Sequence, residues 1–309
     1  MNLYHSFEEI PKGKPVVFAI GFFDGFHLGH RAILQKARDM ADARGADMGI
    51  VTFNPHPSAV LFPEKHVRIL ETETEKERAA ELLGADFSVV FSVTKEFLAE
   101  SAESFLETLA RVPNLVGIAV GENFTFGQKA AGTAARLSAF FESGSVSVCV
   151  LPLLTSTLCG GRPISSTEIR AFLRAGDVET AAALLGRRYS LAGDVARGFR
   201  RGTEAVGFPT ANLSFDASRV LPADGVYATY VKIRGKYFPA VTNIGNNPTF
   251  GNQERTVETF ILDFDETIYG ESFAVEFVRR LRGEMKFPDA KALARQIETD
   301  ICEARKILQ

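Results

Sequence analysis

The chain has 309 residues, 46% of them hydrophobic, and a formal net charge of −3 at neutral pH. That length suits two domains, each with enough apolar residues for its own core. The charge balance excludes a broad basic grip on a long nucleic acid, so an anionic ligand must be held by a local cluster of charge and backbone N–H groups. The N-terminal stretch lacks the basic and apolar regions of a signal peptide, and no apolar run approaches the length of a membrane span. Cys149, Cys159 and Cys302 are odd in number and lack C-x-x-C spacing. They are expected to be buried thiols in a reducing cytoplasm rather than a disulfide framework or a zinc site.

In chain order, the apolar run at 15–21 predicts a buried strand ending in glycine. A helix-period stretch follows at 28–45, with Ile33, Leu34, Ala37 and Met40 as its apolar stripe and Gly45 as its stop. Strands are expected at 48–53, 86–92, 114–121 and 146–154. Helices are expected between them at 72–84, 95–110 and 132–144. Such alternation predicts an open parallel sheet wrapped by helices. Two short helices at 166–176 and 177–186 close this half, placing a boundary near 186. From 187 to about 280 the pattern becomes apolar/polar alternation broken by turns, the mark of a small antiparallel barrel. Arg234-Gly235 is a candidate hairpin turn within it. A terminal amphipathic helix is predicted at 289–308, with Leu293, Ile297, Ile301 and Leu308 on its buried stripe.

Two of the five histidines, His27 and His30, fall at the first turn of the first predicted helix. Three residues apart, they share a face, beside free N–H groups and a partial positive charge, a combination suited to phosphate. Gly21 and Gly25 let the backbone pass close to a ligand, and Gly29 leaves room between the histidines. Taken alone, the pair could equally be a helix cap and a surface histidine. A metal reading lacks a third nearby ligand. In the second half, Thr210 and Asn212 lie two apart in an extended stretch and offer neutral oxygens to one face, which suits Mg²⁺ bridging to ATP phosphates. No P-loop motif occurs, so the Gly- and Arg-rich run at 196–207 is the candidate phosphate flap.

The stretch GFFDGFHLGH (21–30) resembles the signature of the nucleotidylyltransferase half of prokaryotic bifunctional riboflavin kinase/FAD synthetases. TFNPHP (52–57), GENFTFGQKAAG (121–132) and ISSTEIR (164–170) agree with that family in order and spacing. GFPTANL, GVYAT, NIGNNPTFG and VETFILDF resemble its riboflavin kinase half. The resemblance implies a Rossmann-like HxGH nucleotidylyltransferase domain with a parallel sheet at 1–186. It implies a six-stranded antiparallel β-barrel kinase domain with a terminal helix at 187–309. The implied activities are ATP-dependent phosphorylation of riboflavin to FMN and adenylylation of FMN to FAD, with Mg²⁺.

Carried over by motif, Gly21, Phe23, Asp24, Gly25, His27, Gly29, His30, Ser166, Thr167 and Arg170 would bind ATP in adenylyl transfer, with His27 and His30 catalytic. Asn54, His56, Pro57, Asn123, Phe124 and Phe126 would hold the flavin. In the kinase, Gly198, Gly202, Gly207, Pro209, Thr210 and Asn212 would bind ATP and Mg²⁺, with Thr210 and Asn212 as metal ligands. Glu258 would be the base. Asp263 and Asp265 rival it by residue type, but in an unbroken strand their odd separation turns them to the opposite face. The chain departs from the family at Phe22, where many members carry Asn, at Thr203–Ala205, and at Asn247. Arg200 and Arg201 could compensate for the second of these. Partners are expected to be small molecules in the cytoplasm, with no nucleic acid and no membrane, and a homo-oligomer is compatible with the sequence. Competing readings are a different HxGH nucleotidylyltransferase, a non-catalytic flavin-binding protein, and a barrel that binds nucleic acid.

Overall fold

The computed structural model describes all residues except 66, 197–206 and 247–254. Gly198, Arg200, Arg201, Gly202, Thr203–Ala205 and Asn247 therefore lie outside the described residues. The chain divides into two compact units, Met1–Ser166 and Thr167–Gln309. The expected boundary at 186 falls inside the second unit, because the two short helices group with the barrel.

The first unit carries strands β1 (Asn2–Tyr4), β2 (Val16–Ile20), β3 (Asp47–Asn54), β4 (Phe87–Ser92), β5 (Leu115–Gly121), β6 (Thr125–Phe126), β7 (Gly132–Thr133) and β8 (Ser147–Leu151). Its helices are α1 (Leu28–Asp42), α2 (Pro57–Leu61), α3 (Glu73–Leu82), α4 (Lys95–Ala99), α5 (Ala102–Ala110) and α6 (Ala134–Phe141). Six strands form one sheet in the order β1-β4-β3-β2-β5-β8, and every pairing in it is parallel. Strand alternation splits the core in two. Val16, Phe18 and Ile20 pack with α5 and α6, whereas Val17 and Ala19 pack against Leu34, Ala37 and Met40 of α1. Strand order reverses on either side of β2, so the loops after β2 and β5 flank a topological switch point, where open α/β sheets take ligands.

Several features differ from the sequence expectation. The edge strand β1, paired to β4, is too short to show a period. The helix expected at 95–110 is two helices, since Thr94 and Ser101 each cap one and Glu100 between them is extended. The cysteines are not uniformly buried: Cys159 is, Cys149 is half-buried and Cys302 is exposed.

The second unit opens with α7 (Ser166–Ala175, whose first residue closes the first unit) and α8 (Val178–Leu185). Strands β9 (Ser190–Ala196), β10 (Ala211–Phe215), β11 (Gly225–Ile233), β12 (Lys236–Asn246), β13 (Arg255–Ile261) and β14 (Ser272–Arg282) close into a barrel ordered β10-β13-β12-β11-β14-β9. All its pairings are antiparallel. Arg234 and Gly235 both have positive φ, 48° and 77°, and join β11 to β12 by a two-residue turn as expected. Helix α9 (Ala290–Ile307) covers Val226, Ala228 and Val241 on the barrel's outer face, chiefly through Ala304 and Leu308. Leu293, Ile297 and Ile301 are only half-buried, and the deepest polar residue of α9, Asp300, is held by Arg282 at 2.8 Å.

Inside the barrel, the fully buried hydroxyls of Thr229, Thr242 and Thr259 form a chain, with spacings of 2.9 and 3.0 Å. Buried hydroxyls need partners, and this chain supplies them across three strands. Thr242→Val keeps the shape but removes the central link. It should destabilise the second unit by about 1–3 kcal/mol. Tyrosine fluorescence during denaturation checks this, since Tyr189, Tyr227, Tyr230, Tyr237 and Tyr269 all lie in that unit and the chain has no tryptophan.

Candidate active sites

The loop from Gly21 to His27 leaves the end of β2 and turns into α1. Phe23 and Phe26 adopt positive φ, 50° and 39°, and their rings stack in the core at 5.6 Å. Such backbone is costly for bulky residues, and it clusters at functional sites where packing over-determines it. Asp24 is buried, and its carboxylate accepts from the N–H groups of Leu70 and Glu71 at 2.8 and 3.2 Å. Ser166 Oγ donates to the Asp24 carbonyl at 2.8 Å, which brings the ISS stretch to this loop. Phe23 and Asp24 thus shape the loop rather than present side chains to solvent.

His27 is the N-cap of α1, its Nδ1 accepting the His30 N–H at 3.3 Å. An accepting Nδ1 puts the neutral ring's proton on Nε2, which is left as a donor. The two imidazoles stack at 3.6 Å, and the Phe23 ring meets His30 edge-on at 5.3 Å. A Cβ on Gly29 would come within 3.2 Å of the His27 ring, so glycine keeps the cap in place. Burial holds the His27 pKa down to about 4. Burial also holds His30 well below the ordinary imidazole range, helped by the neighbouring His27 and Lys76. His30 Nδ1 is buried without a hydrogen-bond partner. The pair is therefore two neutral imidazoles at a helix N-terminus. The cap and the phosphate readings are not exclusive, because Nδ1 does one job and Nε2 is left for the other.

Asn54 and His56 lie where β3 ends, on the same edge of the sheet. Asn54 Nδ2 donates to Glu73, and His56 caps α2 by accepting the Ser58 N–H at 3.0 Å, with Pro57 in its first turn. Phe22 stands edge-on to His56 at 4.3 Å and carries the Lys76 ammonium 4.4 Å over its ring. Lys76 and Glu73 were not legible in the sequence, where they lie in the helix expected at 72–84 with no signal to set them apart. After β5, Asn123 is exposed and Phe124 half-buried, while Phe126 is packed into the core against Phe105 at 5.1 Å. Thr167 and Arg170 open the second unit on α7, Arg170 donating to the Thr167 hydroxyl at 3.3 Å.

In the barrel, register pairs Glu258 with Asn212 on one side and Asn243 on the other. Directly paired residues face the same way, so the three form a row on the outer face. Burial raises the Glu258 pKa above the ordinary carboxylate value, which suits a base that must take up a proton. Asn243 had no distinguishing sequence signal of its own, since only the register places it there. The alternation argument against Asp263 does not extend to it: β13 ends at Ile261, and Asp263 sits in a turn with φ 54°. It is instead excluded by its partner, since Arg305 holds both its oxygens at 2.7 Å. Gly207 and Pro209 are exposed, and Phe208 meets Phe260 edge-on at 5.5 Å on the outer face carrying Glu258. Thr210 directly precedes β10. Among the described residues no cluster of three His, Cys, Asp or Glu could hold a metal. The neutral oxygens of Thr210 and Asn212 fit a hard cation only when phosphate oxygens complete its shell, the usual manner of Mg²⁺. No helix among the described residues is long and apolar enough to cross a membrane.

The FAD synthetase family model matches residues 9–168, and the riboflavin kinase family model matches 185–308. The bifunctional riboflavin kinase/FMN adenylyltransferase of Bacillus subtilis is 35% identical, over 93% of this chain and 91% of its own. The Escherichia coli K12 protein of the same description is 32% identical over 98% and 95%. A crystal structure described as a macrolide-efflux protein from Streptococcus pneumoniae superposes with a TM-score of 0.89 at 30% identity, covering 98% of both chains. With both halves matched in order and these relatives aligned over more than nine-tenths of their length, the chain belongs to the family of bifunctional riboflavin kinase/FMN adenylyltransferases, which make FMN from riboflavin and FAD from FMN.

Proposed function

We propose that residues 1–186 adenylylate FMN and residues 187–309 phosphorylate riboflavin, each with ATP, and that both steps run in the cytoplasm with Mg²⁺. The observation that carries this reading is the neutral, stacked His27–His30 pair, whose cap hydrogen bond leaves an Nε2–H donor at a helix N-terminus. In adenylyl transfer an FMN phosphate oxygen forms a bond to the α-phosphorus of ATP while the bond to the β-bridging oxygen breaks and pyrophosphate departs. His27 and His30 donate to the α-phosphate oxygens as charge shifts, with Ser166, Thr167 and Arg170 taking the β- and γ-phosphates. Gly21, Gly25 and Gly29 let the backbone lie close to the nucleotide. Asn54, His56, Asn123 and Phe124 take the flavin, with Pro57 and Phe126 setting their loops.

In the kinase step Glu258 accepts the proton of the riboflavin 5′-hydroxyl. The oxygen so released bonds to the γ-phosphorus, and ADP leaves. Asn212 and Thr210 would hold Mg²⁺ against the ATP phosphates, with Gly207 and Pro209 shaping the approach. When bound there, the ion would neutralise phosphate charge. The row Asn212–Glu258–Asn243 and the upward-shifted Glu258 support this assignment over a non-catalytic flavin binder.

Glu258→Gln should cut FMN formation by about 10²–10⁴-fold and leave conversion of supplied FMN to FAD intact. The kinase rate should fall on acidification with a midpoint above 4.5, because the raised pKa must still be deprotonated for catalysis. His30→Ala should do the reverse, sparing riboflavin phosphorylation and lowering FAD formation by about 10²-fold or more. Chromatography of products from riboflavin or FMN with MgATP separates the outcomes. If either variant loses both activities, the assignment of sites to units fails.

The histidine pair gives a second test. Both folded-state pKa values lie below the unfolded value of 6.5, so the pair's contribution to stability is present above that value and is lost as pH falls below it, for His27 towards about 4. In NMR titrations the His27 and His30 ring signals should stay in the neutral form at pH 6. Titration of both near 6.5 would remove the neutral-donor assignment.

A further inference from the structure

Lys76 lies on α3 with only 7% of its surface exposed. Lysine is almost never so buried without a paired carboxylate. Yet among the described residues its ammonium has no hydrogen bond and no ion pair, and it stands over the Phe22 ring face at 4.4 Å. Asp24, Glu71 and Glu73 are near enough to favour its charge, but burial outweighs them and its pKa is lowered. The Asp24 carboxylate is already turned to the Leu70 and Glu71 N–H groups, Glu73 accepts from Asn54, and the buried Glu71 side chain makes no ion pair with the ammonium. A buried cation left with donors to spare is a site waiting for an anion.

Its position says which anion. Through the Phe22 ring, Lys76 adjoins His56, and it lines a small cavity with Thr52, Asn54 and Glu73. These neighbours include two residues given above to the flavin. Lys76 also acts electrostatically on His30, the residue given above to the α-phosphate of ATP. Between a flavin and that α-phosphate stands the phosphate of FMN, the attacking group. Two highly charged anions must meet there, and both histidines are neutral. A desolvated cation relieves that repulsion far more effectively than one in water.

We infer that Lys76 is the cation that receives the attacking FMN phosphate in the adenylyl-transfer site, held to its task by the face of Phe22. The inference rests on the assignment of that site to the first unit. No proton moves: the ammonium stays charged and contacts the phosphate oxygens that do not form the new bond. Lysine here is a point charge with rotatable donors, so arginine should serve in part.

The test uses the 309-residue chain in a Glu258→Gln background, where riboflavin is consumed too slowly to interfere. Riboflavin, which lacks the phosphate, then serves as a competitive inhibitor of FAD formation. Lys76→Met and Lys76→Gln should each lower kcat/KM for FMN by about 10- to 100-fold while leaving riboflavin inhibition within about twofold. Lys76→Arg should recover a substantial part of the loss. Riboflavin kinase activity of the Lys76→Gln single variant, with Glu258 restored, should be unchanged and reports the integrity of the rest of the chain. Weakening of FMN and riboflavin together would make Lys76 a packing residue and overturn the inference, as would unchanged FMN kinetics in either neutral variant. His30→Ala in the same assay keeps the two claims apart. Loss there with none at Lys76 removes Lys76 alone, whereas no loss there removes the site assignment itself.

Discussion

The first unit turns on one hydrogen bond, from the His30 N–H to Nδ1 of His27 at 3.3 Å. It satisfies an orphan donor at the start of α1, as any cap does. A serine or aspartate cap would do that much and end there. An imidazole cap has a second nitrogen, and occupying the first decides where the proton sits on the second. The loop before it is bent through two positive-φ phenylalanines whose stacked rings lie in the core, so the cap's approach is set by packing rather than by the bond alone. The strain in that loop is offset by burial of both rings, and what it secures is the direction of a donor.

The barrel solves a comparable problem by register. A side chain on a strand has no freedom to choose its neighbours, since they are given by the ladder. Glu258 is flanked by Asn212 and Asn243 because β13 lies between β10 and β12. One residue along, Thr259 points the other way, into the hydroxyl chain with Thr242 and Thr229. Strands β12 and β13 thus take part both in a closed polar network inside and in an open row outside. Slippage by one residue would exchange them, burying a carboxylate and exposing the threonines. The interior chain therefore protects the register on which the outer row depends.

Most of this was legible where the signal is local. The strands around β2, the stripe of α1, the Arg234-Gly235 turn and the four motifs of the first half all lie within short windows of sequence. What was not legible is set by distant packing. Lys76 sits in the run ETEKERAAEL, whose sequence indicates a helix and no more, and only the seating of α3 beside β3 and β4 buries it. Asn243 looks like any polar strand residue until the ladder sets it beside Glu258. Phe124 and Phe126 have the same spacing that pairs residues on one strand face, yet the core claims Phe126 and leaves Phe124 half open. Asp263 seemed to be decided by alternation, but the strand stops two residues short of it. In each instance the residue type was visible and its surroundings were not.

The two sites differ in a way that their nucleophiles require. A phosphate monoester loses its second proton near pH 6, so FMN arrives already ionised and needs no base. What opposes its attack is charge, and the first unit supplies two neutral donors at a positive helix end and a buried ammonium, with Asp24 engaged by backbone N–H groups and Glu73 by an amide. A hydroxyl is the opposite case. It is uncharged and reluctant to lose its proton, so repulsion is slight and a base is essential. The barrel accordingly offers a desolvated carboxylate between two amides. An ammonium in place of Glu258 would have no lone pair with which to take a proton. On the assignment proposed above, the acidity of the attacking oxygen decides what each site must supply: a cation and neutral donors for a phosphate that is already ionised, and a base for a hydroxyl that is not.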